Sequence, residues 1–154
     1  MTAQMLELSV SRYIAAPPSV VWKIYTERTE EFFCPKPWTV EVVEADYRAG
    51  GRSALIMRGP DGEEMPMEGI YLEVVPERKI VTTDAYAAGW VPQKPFMTAI
   101  TTFEPEGNGT RYTAVSRHWD EEAHKQHQEM GFETGWGIVA DQLAELAEAE
   151  VAKA

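Results

Sequence analysis

The 154-residue sequence predicts one α+β domain: a strand, two short helices, a curved antiparallel sheet, and a long helix packed on that sheet. Three observations carry this. In "LELSVSRYI", Leu6, Leu8, Val10 and Ile14 share one parity and Glu7, Ser9 and Ser11 the other, the pattern of a half-buried strand. From Trp38 to Trp119, short β-rich segments alternate with glycine- and proline-bearing turns, too closely spaced for helical crossovers. Finally, Phe132, Trp136, Val139, Leu143 and Leu146 recur at helical spacing and form one apolar stripe. One domain over residues 1–154, with its core between about 6 and 150, accounts for the whole chain.

After the first strand, "APPSVVWKIYT" begins with two prolines, which suit a helix start because the missing N–H has no helical partner there. "ERTEEFFCPKPW" holds a second short helix that must end before Pro35. "WTVEVVEADY" and "GRSALIMR" are separated by "RAGG", and "GPDG" turns the chain into "EEMPMEGIYLEVV". "KIVTTDAYA" follows, then "AGWVPQKP" as a longer loop. "FMTAITTFE" and "TRYTAVSRHW" flank "PEGNG" as a hairpin. Asp120 is placed to cap the terminal helix, with Glu121 and Glu122 favourable in its first turn.

The formal charge of −11 opposes phosphate or anionic-membrane binding, so neither a nucleic acid nor a membrane is expected as partner. No run of about eighteen apolar residues occurs. Cys34 is the only cysteine, which excludes an internal disulfide. The N-terminus lacks the basic start and apolar core of a secretory signal, so a cytoplasmic location is expected. "DYRAGGR" joins two strands instead of opening a helix, so it lacks a phosphate cradle, and no G-x-S-x-G elbow appears.

The order of elements resembles the helix-grip fold of the START and polyketide-cyclase superfamily. Within it, the chain is similar to the family named after the activator of the heat shock protein 90 ATPase. The likeness rests on "APPSVVW" (16–22), "DYRAGG" (46–51), "GPDG" (59–62), "EGIYLEVVPERKIV" (68–81), "FEPEGNGTRYT" (103–113) and "GW" at Gly135 and Trp136. A tryptophan-rich "WWGP"-like segment of that family is replaced here by "FFCPKPW", Phe32 to Trp38. The resemblance implies a sheet curved around the last helix, enclosing a space for a guest. It also implies three roles: a carrier or sensor of a small hydrophobic molecule, a cyclase- or hydrolase-type enzyme, or a chaperone-interacting domain. Pairing of two chains through a sheet edge, giving a homodimer, is compatible with each. No cofactor is expected.

Such a space needs mainly apolar lining with a few polar groups. Met57 and Met67 on the sheet are adaptable lining candidates, as are Met65, Met97 and Met130, although methionine is equally an ordinary core filler. Trp38, Tyr71, Trp90 and Phe96 are aromatic candidates for wall or mouth, and Phe132 centres the helix stripe. Arg111 and Arg117 share one parity of the last strand, so Tyr112, Ala114, Ser116 and His118 should face inward. His118 then stands as a hydrogen-bonding or acid–base candidate, or as a histidine satisfied by nearby backbone. With ~100° per residue from Phe132, His127 falls about 140° away, facing solvent, and His124 about 80° away, on a flank. Gln128, at about 40°, is the polar partner expected on the helix. A zinc site would recruit His124 and His127 with His118, Cys34 or Glu121, but no second compact ligand pair exists, so no metal is expected. A Cys34 thiol activated by His118 would require a contact between distant segments. Close packing is expected at Gly135, while Gly131 fits either close approach or an opening lid.

Overall fold

The computed structural model describes residues 6–153. The chain runs β1 (Glu7–Ile14), α1 (Pro18–Glu27), a 3-10 turn (Thr29–Glu31), β2 (Thr39–Ala45), β3 (Arg52–Arg58), β4 (Glu64–Val75) and β5 (Lys79–Thr83). It continues through β6 (Tyr86–Ala87), β7 (Val91–Pro92), β8 (Met97–Glu106), β9 (Gly109–His118), α2 (Glu121–Glu129) and α3 (Phe132–Ala152). Seven strands form one sheet in the order β1-β9-β8-β5-β4-β3-β2, and all of its pairs are antiparallel. The α+β helix-grip architecture is therefore present. The expected "AGWVPQKP" loop supplies the turn and second strand of a small hairpin, β6-β7, whose first strand is the end of "KIVTTDAYA", and the second short helix is the 3-10 turn.

Two β-bulges bend the sheet. In β2, register with β3 shifts between Val42 and Glu44, so Val43 is an extra residue. In β4, register with β5 shifts between Tyr71 and Glu73, so Leu72 is extra. Both extra residues are exposed, and each resets which neighbours point inward.

The inner face packs on the helices through rings and small residues. Phe103 is fully buried, with Trp22, Tyr25 and Tyr112 at centroid distances of 5.4, 5.3 and 5.8 Å. On α3, Phe132 and Leu143 are buried, and Trp136, Val139 and Leu146 pack against the core, as the stripe requires. Ala140 and Ala147 are also fully buried, which lets the α3 backbone approach the sheet closely. Gly137, not Gly135, lies at a close approach: an added Cβ would come 2.9 Å from an Arg12 nitrogen, whereas Gly135 faces open space. Thr110, fully buried, donates its hydroxyl to the Ala16 carbonyl at 2.7 Å and ties β9 to the entry of α1.

The terminal helix departs from the sequence expectation. Asp120 does cap it, accepting from the Ala123 N–H at 2.8 Å, but the helix breaks after Glu129. Gly131 has φ +88, a left-handed conformation that ends one helix and redirects the next. The long helix α3 starts only at Phe132.

Candidate functional site

The alternation of β9 holds as read. Tyr112, Ala114, Ser116 and His118 are buried on the inner face, while Arg111 and Arg117 lie outside and pair with Glu106 and Glu7. At the end of β9, the His118 N–H donates to the Leu6 carbonyl at 2.8 Å. The His118 ring Nδ1 lies 3.1 Å from the same oxygen. A carbonyl only accepts, so Nδ1 carries the proton of the neutral ring and Nε2 presents a lone pair inward.

That lone pair meets a residue expected in solvent. His127 is 7% exposed, and its Nδ1 sits 2.7 Å from His118 Nε2. His127 Nδ1–H is therefore the donor. The angular reading failed because it assumed an unbroken helix; the turn at Gly131 resets the phase between α2 and Phe132. The same reset corrects Gln128, which is exposed and not an inward partner. Nothing in the periodicity of α2 signalled this, although the lone glycine before Phe132 was the available cue.

Two further atoms close the cluster. Ser116 Oγ lies 3.2 Å from His118 Nε2 and 3.4 Å from His127 Nδ1, and it donates to Met97 Sδ at 2.9 Å. Rings seal it: Phe96 is 5.7 Å from His118 and 5.2 Å from His127, and His127 is 5.0 Å from Phe132 and 5.6 Å from Trp136. His124 is 5.3 Å from His118, edge to face. Burial, reinforced by His118 and then His124, pushes the His127 pKa down to about 4. Burial also lowers that of His118, opposed by the Leu6 carbonyl. Both rings are neutral at physiological pH. Among the described residues, no group of three or more His, Cys, Asp or Glu side chains is arranged to hold a metal ion.

Beside this cluster the inner face is rich in phenols. The rings of Tyr47 and Tyr71 have centroids 5.0 Å apart, and Tyr25 packs against Tyr112 at 6.4 Å. Burial raises the pKa of all four of Tyr25, Tyr47, Tyr71 and Tyr112, so each stays a neutral phenol.

The inner face is not uniformly filled. Phe103, Thr101 and Ile80 are buried beneath the helices. The neighbouring inward positions Met97, Ala99, Thr82, Leu55 and Met67 are only half-buried, although strand register turns them the same way. Phe96, His118 and Phe132 thus gather at one end of the inner face, and Tyr71 and Met67 lie farther along it, with Met57 beyond.

Other expected lining residues stand apart. Trp38 borders a separate cavity of about 290 Å³ with Cys34, Lys36 and Leu146. Burial pushes the Cys34 thiol up to about 11, the opposite of an activated nucleophile. Trp90 is 66% exposed on the β6-β7 hairpin and lies over Gly50. Met65 and Met130 are exposed. A larger groove, about 570 Å³, runs along the outward residues Val81, Thr83, Thr98 and Ile100 beside Trp119, and Met97 and His118 also border it.

The sequence matches the family described as "Activator of Hsp90 ATPase homolog 1-like protein" over residues 15–148. The chain belongs to that family. The chain is similar to a solved protein from Nitrosomonas europaea, with 37% identity, 99% of each chain covered and a TM-score of 0.90. It is also similar to one from Mycobacterium smegmatis, with 27% identity, 94% of this chain and 95% of that one covered, and a TM-score of 0.77. A Silicibacter pomeroyi protein of the same family name shares the fold at 20% identity, with 95% and 97% covered and a TM-score of 0.69. No curated protein matches the chain. The START-like fold is often ligand-binding. No described helix is long and apolar enough to cross a membrane.

Proposed function

We propose that this domain binds a small hydrophobic molecule on an open shelf of the inner sheet face, as a carrier or sensor. The observation that supports this is the half-buried row of Met97, Ala99, Thr82, Leu55 and Met67, inward by register yet without full cover. Apolar side chains left open in a concavity gain about 25 cal/mol per Å² when a guest covers them. Methionines fit their shape to that guest. The neutral hydroxyls of Tyr47 and Tyr71 supply hydrogen bonds to a carbonyl or hydroxyl on it. Met67, Tyr71, Phe96, His118 and Phe132 are the binding residues of this reading, with Met57 at its far corner.

The acid–base alternative for His118 has less support. Both of its ring nitrogens are hydrogen-bonded, one to Leu6 and one to His127, so proton exchange with a guest on the sheet would first require His127 to move away.

The test fills the shelf. Ala99 lies between Ser116 and Thr82 across the sheet, and Ala99→Phe puts a ring where the guest would rest. Binding of 1-anilinonaphthalene-8-sulfonate, followed by fluorescence and by displacement with medium-chain fatty acids, should weaken at least tenfold while circular dichroism is unchanged. Unaltered dye binding in a folded variant refutes the reading.

A further inference from the structure

We propose that Met97, Ser116, His118 and His127 form a buried binding site for a soft monovalent metal ion, of the copper(I) class. Four donor atoms converge there: a thioether sulfur, a hydroxyl oxygen and two imidazole nitrogens. Their recorded separations are 2.9 Å from Ser116 Oγ to Met97 Sδ, 3.2 and 3.4 Å from Oγ to the two nitrogens, and 2.7 Å between the nitrogens.

The donor set selects the ion. None of the four atoms carries a formal charge, so a hard divalent cation would gain little in exchange for its hydration. Thioether and neutral imidazole together suit copper(I). The outer contacts are also in place. Leu6 holds His118 Nδ1–H and thereby aims Nε2 inward, the arrangement that orients histidine ligands generally. Phe96, Phe132 and Trp136 pack their rings around His127, and the groove bordering Met97 and His118 gives an ion a path in.

In the metal-free state a proton occupies the central position, on His127 Nδ1. Ligation moves that proton to the Nε2 of the same ring, so the neutral donor cluster takes up the cation without net proton release. Bonds of about 2.0–2.3 Å to nitrogen and sulfur require the two nitrogens to part by roughly 1 Å. The short helix α2, set between its Asp120 cap and the left-handed Gly131, is the element that shifts. The spacing of His124 and His127 lacks the second compact ligand pair of a zinc site, and no metal is expected from it. The structure supplies different partners, one histidine from β9 and one methionine from β8.

The experiment is anaerobic titration of the full chain with copper(I) against bicinchoninate, with zinc(II) in a parallel arm and the histidine ring nitrogens followed by NMR. One copper(I) per chain should bind, with shifts at His118 Nε2 and His127 Nδ1 and weaker zinc binding. Met97→Leu, nearly isosteric, should weaken binding at least tenfold, and His127→Gln at least a hundredfold. Met65→Leu, which removes an exposed thioether elsewhere on the sheet, should leave it unchanged. Circular dichroism checks that each variant is folded. Absence of one-to-one binding, unchanged affinity in folded Met97→Leu, or tighter zinc than copper binding would each overturn the proposal.

Discussion

Acidification of the metal-free protein offers a direct measure of the buried histidine pair. An unfolded chain protonates His127 near its ordinary value of 6.5, whereas the folded protein holds it down to about 4. Between those values the unfolded state binds more protons, so stability must fall as pH falls through this window and level off below it. His127 alone gives a loss of about 2 kcal/mol between pH 7 and pH 5, approaching about 3 kcal/mol at pH 4. His118, also lowered, acts in the same direction. Glu31 and Glu68, held down by Arg28 and Arg52, lose their contribution only below the ordinary carboxylate value of 4.5, outside the pH 5–7 comparison. Urea unfolding at pH 7, 6 and 5 should therefore show the midpoint falling by on the order of 1 M. His127→Gln should flatten most of that slope. A wild-type midpoint independent of pH in this range, or an undiminished slope in the variant, would refute the burial argument.

Two other substitutions probe the frame around the site. Phe103→Ala empties a fully buried position between Trp22, Tyr25 and Tyr112 and should destabilise by about 3–5 kcal/mol, read as a lower thermal midpoint in calorimetry. Gly131→Ala meets no neighbour within 4 Å but must keep φ near +88, so it should destabilise by about 1 kcal/mol or more in urea unfolding, an effect of conformation alone.

The elements legible in the sequence were those whose signal is periodic and local. Arg111 and Arg117 fix the parity of β9, and the α3 stripe from Phe132 to Leu146 names its buried side because four regular turns separate its ends. Asp120 announces its cap through chemistry confined to three residues. The site was harder to read because its members depend on where regularity stops. His127 and Gln128 exchanged their expected environments because a left-handed residue separates α2 from the stripe that served as reference. Trp90 has the composition of a cavity wall but rides on a two-strand hairpin outside the main sheet. Met97 opposite His118 follows from strand register, which pairing partners set and composition does not.

The extra residues Val43 and Leu72 also bear on how the family could diversify. Each is a one-residue insertion that changes the bend of its strand and the facing of the residues beyond it. Removing Leu72 would restore regular alternation, with Tyr71 and Val74 two apart on the same inner face, and would take out the bend between them. The curvature of the inner face is thus tied to strand length at two points, and a single deletion or insertion there is the shortest route to a differently shaped surface.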